Sequence, residues 1–152
     1  RLDPGDAVGF YAGLHRPEGE RAHRYLIGYF TVAAVDVIPA DASREEAADV
    51  FADHPENAHA KRARAGGRYY DEETVVLVGG REPGGLFARD PVRMSTYEVK
   101  PGNERAQYYL DPAFAERFSV TEGRENMQFK PAYLSDLDAE AFVERVGVPG
   151  ER

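Results

Sequence analysis

Residues 25–38 have the sequence Tyr-Leu-Ile-Gly-Tyr-Phe-Thr-Val-Ala-Ala-Val-Asp-Val-Ile and form the most β-prone part of the chain. Their β-branched and aromatic side chains favour a strand, and the run is longer than an ordinary strand. Gly28 inside the run indicates a bulge or a bend. We therefore predict one long curved strand within a barrel-like sheet.

Shorter apolar runs predict further strands on both sides of this stretch. Residues 7–12 are apolar and short enough for a buried strand, and residues 75–78 have the composition of a central strand. Gly79-Gly80 follows the second run, and Pro83-Gly84-Gly85 comes next. Because glycine and proline are typical of turns, we expect the strand to end at Gly79 and a turn to form at residues 83–85.

Capping signals predict four short helices. Ser43 and Glu46 have the spacing of a capping box, so a helix is expected to begin there and to end near residues 53–55. Further helices are predicted at residues 56–64, 111–118 and 135–146, the last capped by Ser135 and Asp138. Strands with inserted helices and a C-terminal helix indicate an α+β fold with a curved or barrel-like mixed sheet.

The length and the start of the chain bear on its domain organisation. At 152 residues the chain fits one domain of ordinary size. It begins at Arg1 and enters at once a turn that leads into the first apolar run. We therefore expect a single domain over residues 1–152 that is a fragment lacking an N-terminal segment.

The composition excludes several kinds of chemistry. The chain has no cysteine, so it has no disulfide, no thiolate metal site and no cysteine nucleophile. No run approaches the ~18 apolar residues of a membrane helix, and no signal-peptide pattern is present, so we expect a cytoplasmic protein with no membrane partner. We also expect no cofactor.

Acidic residues outnumber basic residues by 27 to 19, which gives a formal net charge of −8. This balance argues against a protein whose whole surface binds nucleic-acid phosphates, so any such binding must be local. The chain contains only three lysines, Lys61, Lys100 and Lys130. An acidic, lysine-poor surface favours a halophilic source.

One segment carries the opposite charge. From His59 onward it contains Lys61, Arg62, Arg64 and Arg68 with no acidic residue among them, and it ends in Tyr69-Tyr70. Arginine holds phosphate in a fork and tyrosine stacks on a base, so this combination predicts a nucleotide or an unstacked base as ligand. The alternative is a solvated helix face followed by two tyrosines that begin a strand.

His54 and His59 are the candidate acid–base residues. They are five positions apart, whereas two metal ligands on one helix face are four apart, so no metal site is predicted. A catalytic role would place His54 or His59 beside a carboxylate such as Asp53 or Glu56. The alternative for His54 is that it caps the preceding helix before Pro55.

The order of several short motifs resembles the nucleotide modification associated domain family, third type. The matching pieces are Pro4-Gly5-Asp6 with Phe10-Tyr11, the strand from Tyr25 to Phe30, His54-Pro55 with Asn57, and Gly84-Gly85-Leu86-Phe87. The opening pieces are also similar to PUA-like domains of the EVE and ASCH types, small β-barrels that bind RNA or modified bases. The resemblance implies work on nucleic acid or nucleotides, and it marks His54, Pro55 and Asn57 as motif positions.

Three hypotheses follow. The first is a domain that binds nucleic acid or a nucleotide and recognises a modified base; Arg62, Arg64 and Arg68 contact phosphate, Tyr69 or Tyr70 stacks, and His54 and Asn57 bond a base edge. It requires these side chains to converge on one face. The second is an enzyme that acts on a nucleotide or modified base through a histidine–carboxylate pair. The third is a protein-interaction module.

Overall fold

A computed structural model describes residues 2–15, 21–66, 74–87, 90–129 and 131–146. The chain divides into two compact units. Unit 1 comprises Arg1–Asp6 and Thr31–Glu82, and unit 2 comprises Ala7–Phe30 and Pro83–Arg152. The prediction of one domain therefore stays a prediction, and each unit is described by itself.

The described residues form a mixed α+β structure with four short helices, one of them C-terminal. In chain order the elements are β1 (Ala7–Leu14), β2 (His23–Ile38), α1 (Arg44–Asp53), α2 (Ala58–Arg64), β3 (Val75–Leu86), β4 (Val92–Arg93), β5 (Ser95–Glu98), β6 (Gln107–Leu110), α3 (Pro112–Arg117), β7 (Val120–Glu122), β8 (Leu134–Ser135) and α4 (Ala139–Val146). None of these helices has the length and apolar character needed to span a membrane.

The main sheet has the strand order β1-β2-β3, and β4 pairs with β2 in antiparallel register through Tyr25↔Arg93 and Leu26↔Val92. Two further antiparallel pairs, β5-β6 and β7-β8, stand apart from it. Among the described strands this order does not return on itself, so no closed barrel is present. The curved or barrel-like form stays a prediction.

The long strand predicted from residues 25–38 is confirmed as β2. Its apolar side chains enter the cores of both units. In unit 2, Leu26 belongs to a cluster with Met94, Phe114, Phe118 and Met127. In unit 1, Ile38 packs with residues of β3 and of helices α1 and α2, namely Ala47, Phe51, Ala60, Val75 and Leu77. Burial of each large apolar side chain contributes about 1.5–3 kcal/mol to folding.

The capping signals were largely correct. Ser43 Oγ accepts from the Glu46 N–H at 3.2 Å, and Glu46 Oε2 accepts from the Ser43 N–H at 2.8 Å, so α1 has its predicted capping box. The last helix begins later than predicted because Asp138 alone caps it, accepting from the Ala141 N–H. Ser135 instead lies in β8, where its hydroxyl donates to the carbonyl of Phe118.

The predicted break at Gly79 and the predicted turn at residues 83–85 were wrong, because β3 continues from Val75 to Leu86. The glycines permit close backbone packing between neighbouring strands. A Cβ at Gly28 on β2 would lie 2.5 Å from the carbonyl oxygen of Gly85 on β3. Gly28 is therefore explained by a close approach of two strands, and the same holds for Gly84 on β3, where a Cβ would lie 2.8 Å from Phe30 Cα.

Candidate functional site

His54 ends helix α1 and lies in unit 1. Its N–H donates to the Phe51 carbonyl at 3.3 Å, which confirms that it caps the helix. Its Nε2 donates to Asp36 Oδ2 at 2.6 Å, and the histidine side chain is only 10% exposed. Its partner Asp36 is 48% exposed. The carboxylate beside His54 is thus Asp36 on β2, and not Asp53 or Glu56.

A glycine on β3 makes room for the His54 ring. A Cβ at Gly79 would lie 3.5 Å from both Cε1 and Nδ1 of that ring. One edge of the imidazole therefore faces strand β3, and Nε2 on the other side is held by Asp36. This arrangement presents Asp36, the more exposed partner, to solvent.

Asn57 begins helix α2 and is close to His54 in the same turn. The Asn57 N–H donates to the His54 carbonyl at 3.0 Å, and Asn57 Oδ1 accepts from the His59 N–H at 2.8 Å. Reading a base edge with asparagine requires its amide oxygen and nitrogen together. Because the cap already uses one of the two acceptor positions of the oxygen, Asn57 Oδ1 is held in the orientation that the helix requires.

The basic residues of α2 do not share one face. Arg62 and Arg64 are exposed and two positions apart, so they project about 200° from each other around the helix. Lys61 is paired with Glu56 at 2.7 Å. Arg68, Tyr69 and Tyr70 lie outside the described residues. Of the predicted site, the structure brings together His54 and Asn57, with His59 half-buried one turn further on.

A second polar cluster lies in unit 2, and its centre is a pair of tyrosines. Tyr97 on β5 and Tyr108 on β6 are directly opposite in the antiparallel register, with ring centroids 4.9 Å apart and planes tilted by 54°. The Arg21 guanidinium carbon lies 4.1 Å from the Tyr97 centroid, and that of Arg24 lies 4.8 Å from the Tyr108 centroid. We call Arg21, Tyr97, Tyr108 and Arg24 the Arg–Tyr stack.

Arg24 is the fixed end of the Arg–Tyr stack. Its N–H donates to Ser95 Oγ at 2.9 Å, and its side chain is half-buried. A Cβ at Gly13 would lie 2.7 Å from the Arg24 Nη1, so the guanidinium lies over the bare backbone of β1. Arg24 is therefore held between Gly13 on one side and the Tyr108 ring on the other.

His23 and Arg93 support the Arg–Tyr stack from beside Tyr108. His23 is 9% exposed and meets the Tyr108 ring edge-on at 5.9 Å. Its Nδ1 lies 3.1 Å from the Ser95 carbonyl oxygen, and its Nε2 lies 3.0 Å from Nη2 of Arg93. Nη2 of Arg93 also lies 3.2 Å from Nδ1 of His23, so the guanidinium nitrogen approaches both nitrogens of the imidazole ring.

Among the residues that the structure describes, the arginines around the two rings lack acidic partners. Within the described ranges, no carboxylate forms an ion pair with Arg21, Arg24 or Arg93, whereas Lys61 and Lys100 are each paired with a glutamate. The positive charge of Arg24 also acts on Tyr11. Burial raises the pKa of the Tyr11 hydroxyl, and the Arg24 charge lowers it, which offsets part of that rise. In a chain of net charge −8, this is a local positive site that can attract an anion.

Residues 1–145 match the family described as nucleotide modification associated domain 3. The chain belongs to this family. The resemblance seen in the sequence is thereby confirmed for nucleotide modification associated domain 3, while the PUA-like relationship stays a prediction. No curated protein and no solved structure matches the chain.

Sequence reasoning missed the residues that give this nucleotide modification associated domain its Arg–Tyr stack. Arg93 and His23 are 70 positions apart in the chain and meet only through the pairing of β2 with β4. Tyr97 and Tyr108 meet only through the β5-β6 register. The available signal was weak: two arginines at the start of the longest strand, and tyrosines in short apolar pieces.

A metal centre has no support in the part of the chain that the structure describes. No group of three or more His, Asp or Glu side chains there is arranged to hold a metal ion.

Proposed function

We propose that this nucleotide modification associated domain binds nucleic acid or a nucleotide within a base-modification system, and that it recognises a base, including a modified base, through the Arg–Tyr stack. The observation that carries the proposal is the tyrosine pair flanked by two arginines without acidic partners among the described residues. Membership of the family supports the same kind of ligand.

The Arg–Tyr stack combines two interactions that a nucleotide requires. Stacking of one base on an aromatic side chain contributes about 1–3 kcal/mol, and an arginine–phosphate contact adds a charge-assisted hydrogen bond. Each ring of the pair is fixed by the β5-β6 register. The cations supply attraction at one place on a chain whose net charge of −8 repels phosphate elsewhere.

Two finer expectations belong to this proposal. A curved, PUA-like sheet would suit a domain that reads bases, and a halophilic cytoplasmic source would account for the acidic remainder of the surface. A halophilic domain retains its fold at multimolar potassium chloride, while binding to phosphate weakens with salt. A salt series therefore tests both expectations.

Binding of fluorescent single- and double-stranded DNA and RNA, with and without modified bases, tests the proposal. The informative variant is Arg21→Glu, with Arg44→Glu on α1 as the control of equal charge change. We expect Arg21→Glu to weaken binding about tenfold or more, since a hydrogen bond to a charged group contributes about 1.5–3 kcal/mol. Equal effects of the two variants, or no binding by the unmodified protein at any salt, would refute the proposal.

A second candidate function is supported by the His54–Asp36 pair. We propose as the alternative an enzyme in which Asp36 accepts a proton from a nucleotide or modified base and His54 positions the carboxylate. The 2.6 Å hydrogen bond and the exposure of Asp36 favour this candidate. It predicts product formation that Asp36→Asn abolishes without changing affinity for nucleic acid; retention of turnover by that variant would eliminate it.

A further inference from the structure

The two ends of the Arg–Tyr stack differ in how firmly each arginine is held. The Arg24 backbone N–H donates to Ser95, and its guanidinium lies between the backbone of Gly13 and the Tyr108 ring. Arg21 is exposed, and its guanidinium lies over the Tyr97 ring with no hydrogen bond or ion pair to another described residue. Arg21 is thus the exchangeable end.

The geometry also shows which ring face a ligand would need. Tyr108 meets Tyr97 at a tilt of 54°, and the Arg21 guanidinium covers the Tyr97 ring at 4.1 Å. A base that stacks on the face of Tyr97 covered by Arg21 must take the place of the guanidinium. Displacing an exposed cation from a ring costs about 2- to 5-fold in affinity, whereas stacking a base contributes about 5- to 150-fold. The exchange favours the base.

Resting on the proposed function, we propose that Arg21 is an exchangeable cover on Tyr97 and that the ligand is single-stranded nucleic acid. An unstacked base replaces the guanidinium on the ring, and the released guanidinium binds a phosphate of the same strand. A duplex does not offer such a base, because both faces of each base are covered by its neighbours. The Arg21 side chain thus has one partner in the free protein and another in the complex.

The decisive experiment compares two probes of the same base sequence. One is a short thymine DNA strand, and the other is the corresponding peptide nucleic acid, which carries the bases on an uncharged backbone. Removal of Arg21 frees the ring for both probes but removes a phosphate contact only for DNA. We therefore expect Arg21→Ala to bind the uncharged probe about 2- to 5-fold more tightly and DNA several-fold more weakly.

Salt dependence supplies a second readout. For single strands each phosphate contact contributes about 0.7 to the slope of log affinity against log salt, so Arg21→Ala should reduce the slope for DNA by about that amount. Arg44→Ala removes the same charge far along the chain and should leave affinity for the uncharged probe unchanged. Thymidine monophosphate carries the same base and one phosphate, so the slope of its log affinity against log salt should be smaller than that of the DNA strand.

The possible results separate this inference from the proposed function. If the unmodified protein binds no nucleic acid, both fail. If it binds DNA but Arg21→Ala shifts both probes in the same direction, or if the uncharged probe does not bind, the exchange is overturned and the binding function stands. If duplex DNA binds as tightly as the single strand, the assignment of a single-stranded ligand is overturned in the same way.

Discussion

The His54–Asn57 turn of unit 1 and the Arg–Tyr stack of unit 2 both concentrate polar side chains, but they use them differently. In the turn, His54 Nε2 is hydrogen-bonded to Asp36, and Asn57 Oδ1 caps helix α2. In the Arg–Tyr stack, the guanidiniums lie on rings, with no acidic partner among the described residues. Hydrogen-bonding groups that the fold already employs are less available to a ligand, so the comparison favours the stack as the binding site.

The largest expected effect breaks the Arg–Tyr stack at its centre. Replacing Tyr97 by Ala removes the ring on which a base stacks, so affinity for single-stranded DNA should fall about 5- to 150-fold. Fluorescence anisotropy at fixed salt measures the change. The control is Tyr97→Phe, which retains the ring and should retain most of the affinity. A similar loss in both variants would mean that the hydroxyl, and not the ring, contacts the ligand.

The second prediction is that a substitution in the His54–Asn57 turn lowers the stability of the protein and leaves its DNA affinity unchanged. His54→Ala removes a largely buried ring and leaves Asp36 without its hydrogen-bond partner, so the free energy of unfolding should fall by about 2 kcal/mol. DNA affinity of the folded variant should not change. Urea unfolding and anisotropy give the two values. His15→Ala, at an exposed position, is the control and should alter stability by less than about 0.5 kcal/mol.

A loss of DNA affinity in folded His54→Ala would contradict this prediction. It would indicate that the ligand binds at the His54–Asn57 turn, which the family resemblance marks. In that case the Arg–Tyr stack would be a structural feature of unit 2.

The contrast between the two regions also shows which structural features can be predicted from the sequence. The capping box at Ser43 and Glu46 acts between residues close in the chain, so its pattern is visible in the sequence. His54 caps α1 as its position before Pro55 indicated, whereas the N-cap role of Asn57 was not predicted, because helix α2 was expected to begin at residue 56. Local hydrogen bonding is therefore what the sequence predicts well.

The missed features depend on distant residues. Gly28 and Gly84 stand where two strands approach closely, which is why a glycine typical of turns lies inside β3. The Arg–Tyr stack requires the β5-β6 register and the position of residues 21–24 beside it. Neither register nor close approach is encoded in spacing along the chain, so no short motif predicts them.

A third prediction uses one glycine from each region. In Gly13→Ala the new Cβ would lie 2.7 Å from Arg24 Nη1, which must move from its place over Tyr108. Since only the flexible end of a side chain shifts, stability should change by less than about 1 kcal/mol, while DNA affinity falls about 2- to 5-fold. The control is Gly79→Ala, where the new contacts begin at 3.5 Å and are ordinary. Unchanged DNA binding in Gly13→Ala would show that the position of Arg24 does not matter to the ligand.

The smallest expected effect concerns pH and the capping box of unit 1. The backbone N–H of Ser43 and its hydroxyl hydrogen-bond to Glu46 and hold the pKa of this carboxyl below its ordinary value of 4.5. A carboxyl with a lowered folded pKa stabilises the fold above its unfolded pKa, and this contribution is lost as the pH falls through the folded value. Unit 1 should therefore lose a small part of its stability below about pH 4.5.

Urea unfolding of Glu46→Gln at pH 7 and at pH 3 measures this contribution. The variant should be slightly less stable than the unmodified protein at pH 7, because the carboxylate of the capping box is gone, and the difference should shrink at pH 3, which lies below the ordinary pKa of the carboxyl. Glu45→Gln removes a negative charge from the same turn without removing the Ser43 hydrogen bond, and it serves as the control. A difference of equal size at both pH values would assign the effect to packing rather than to the ionised cap.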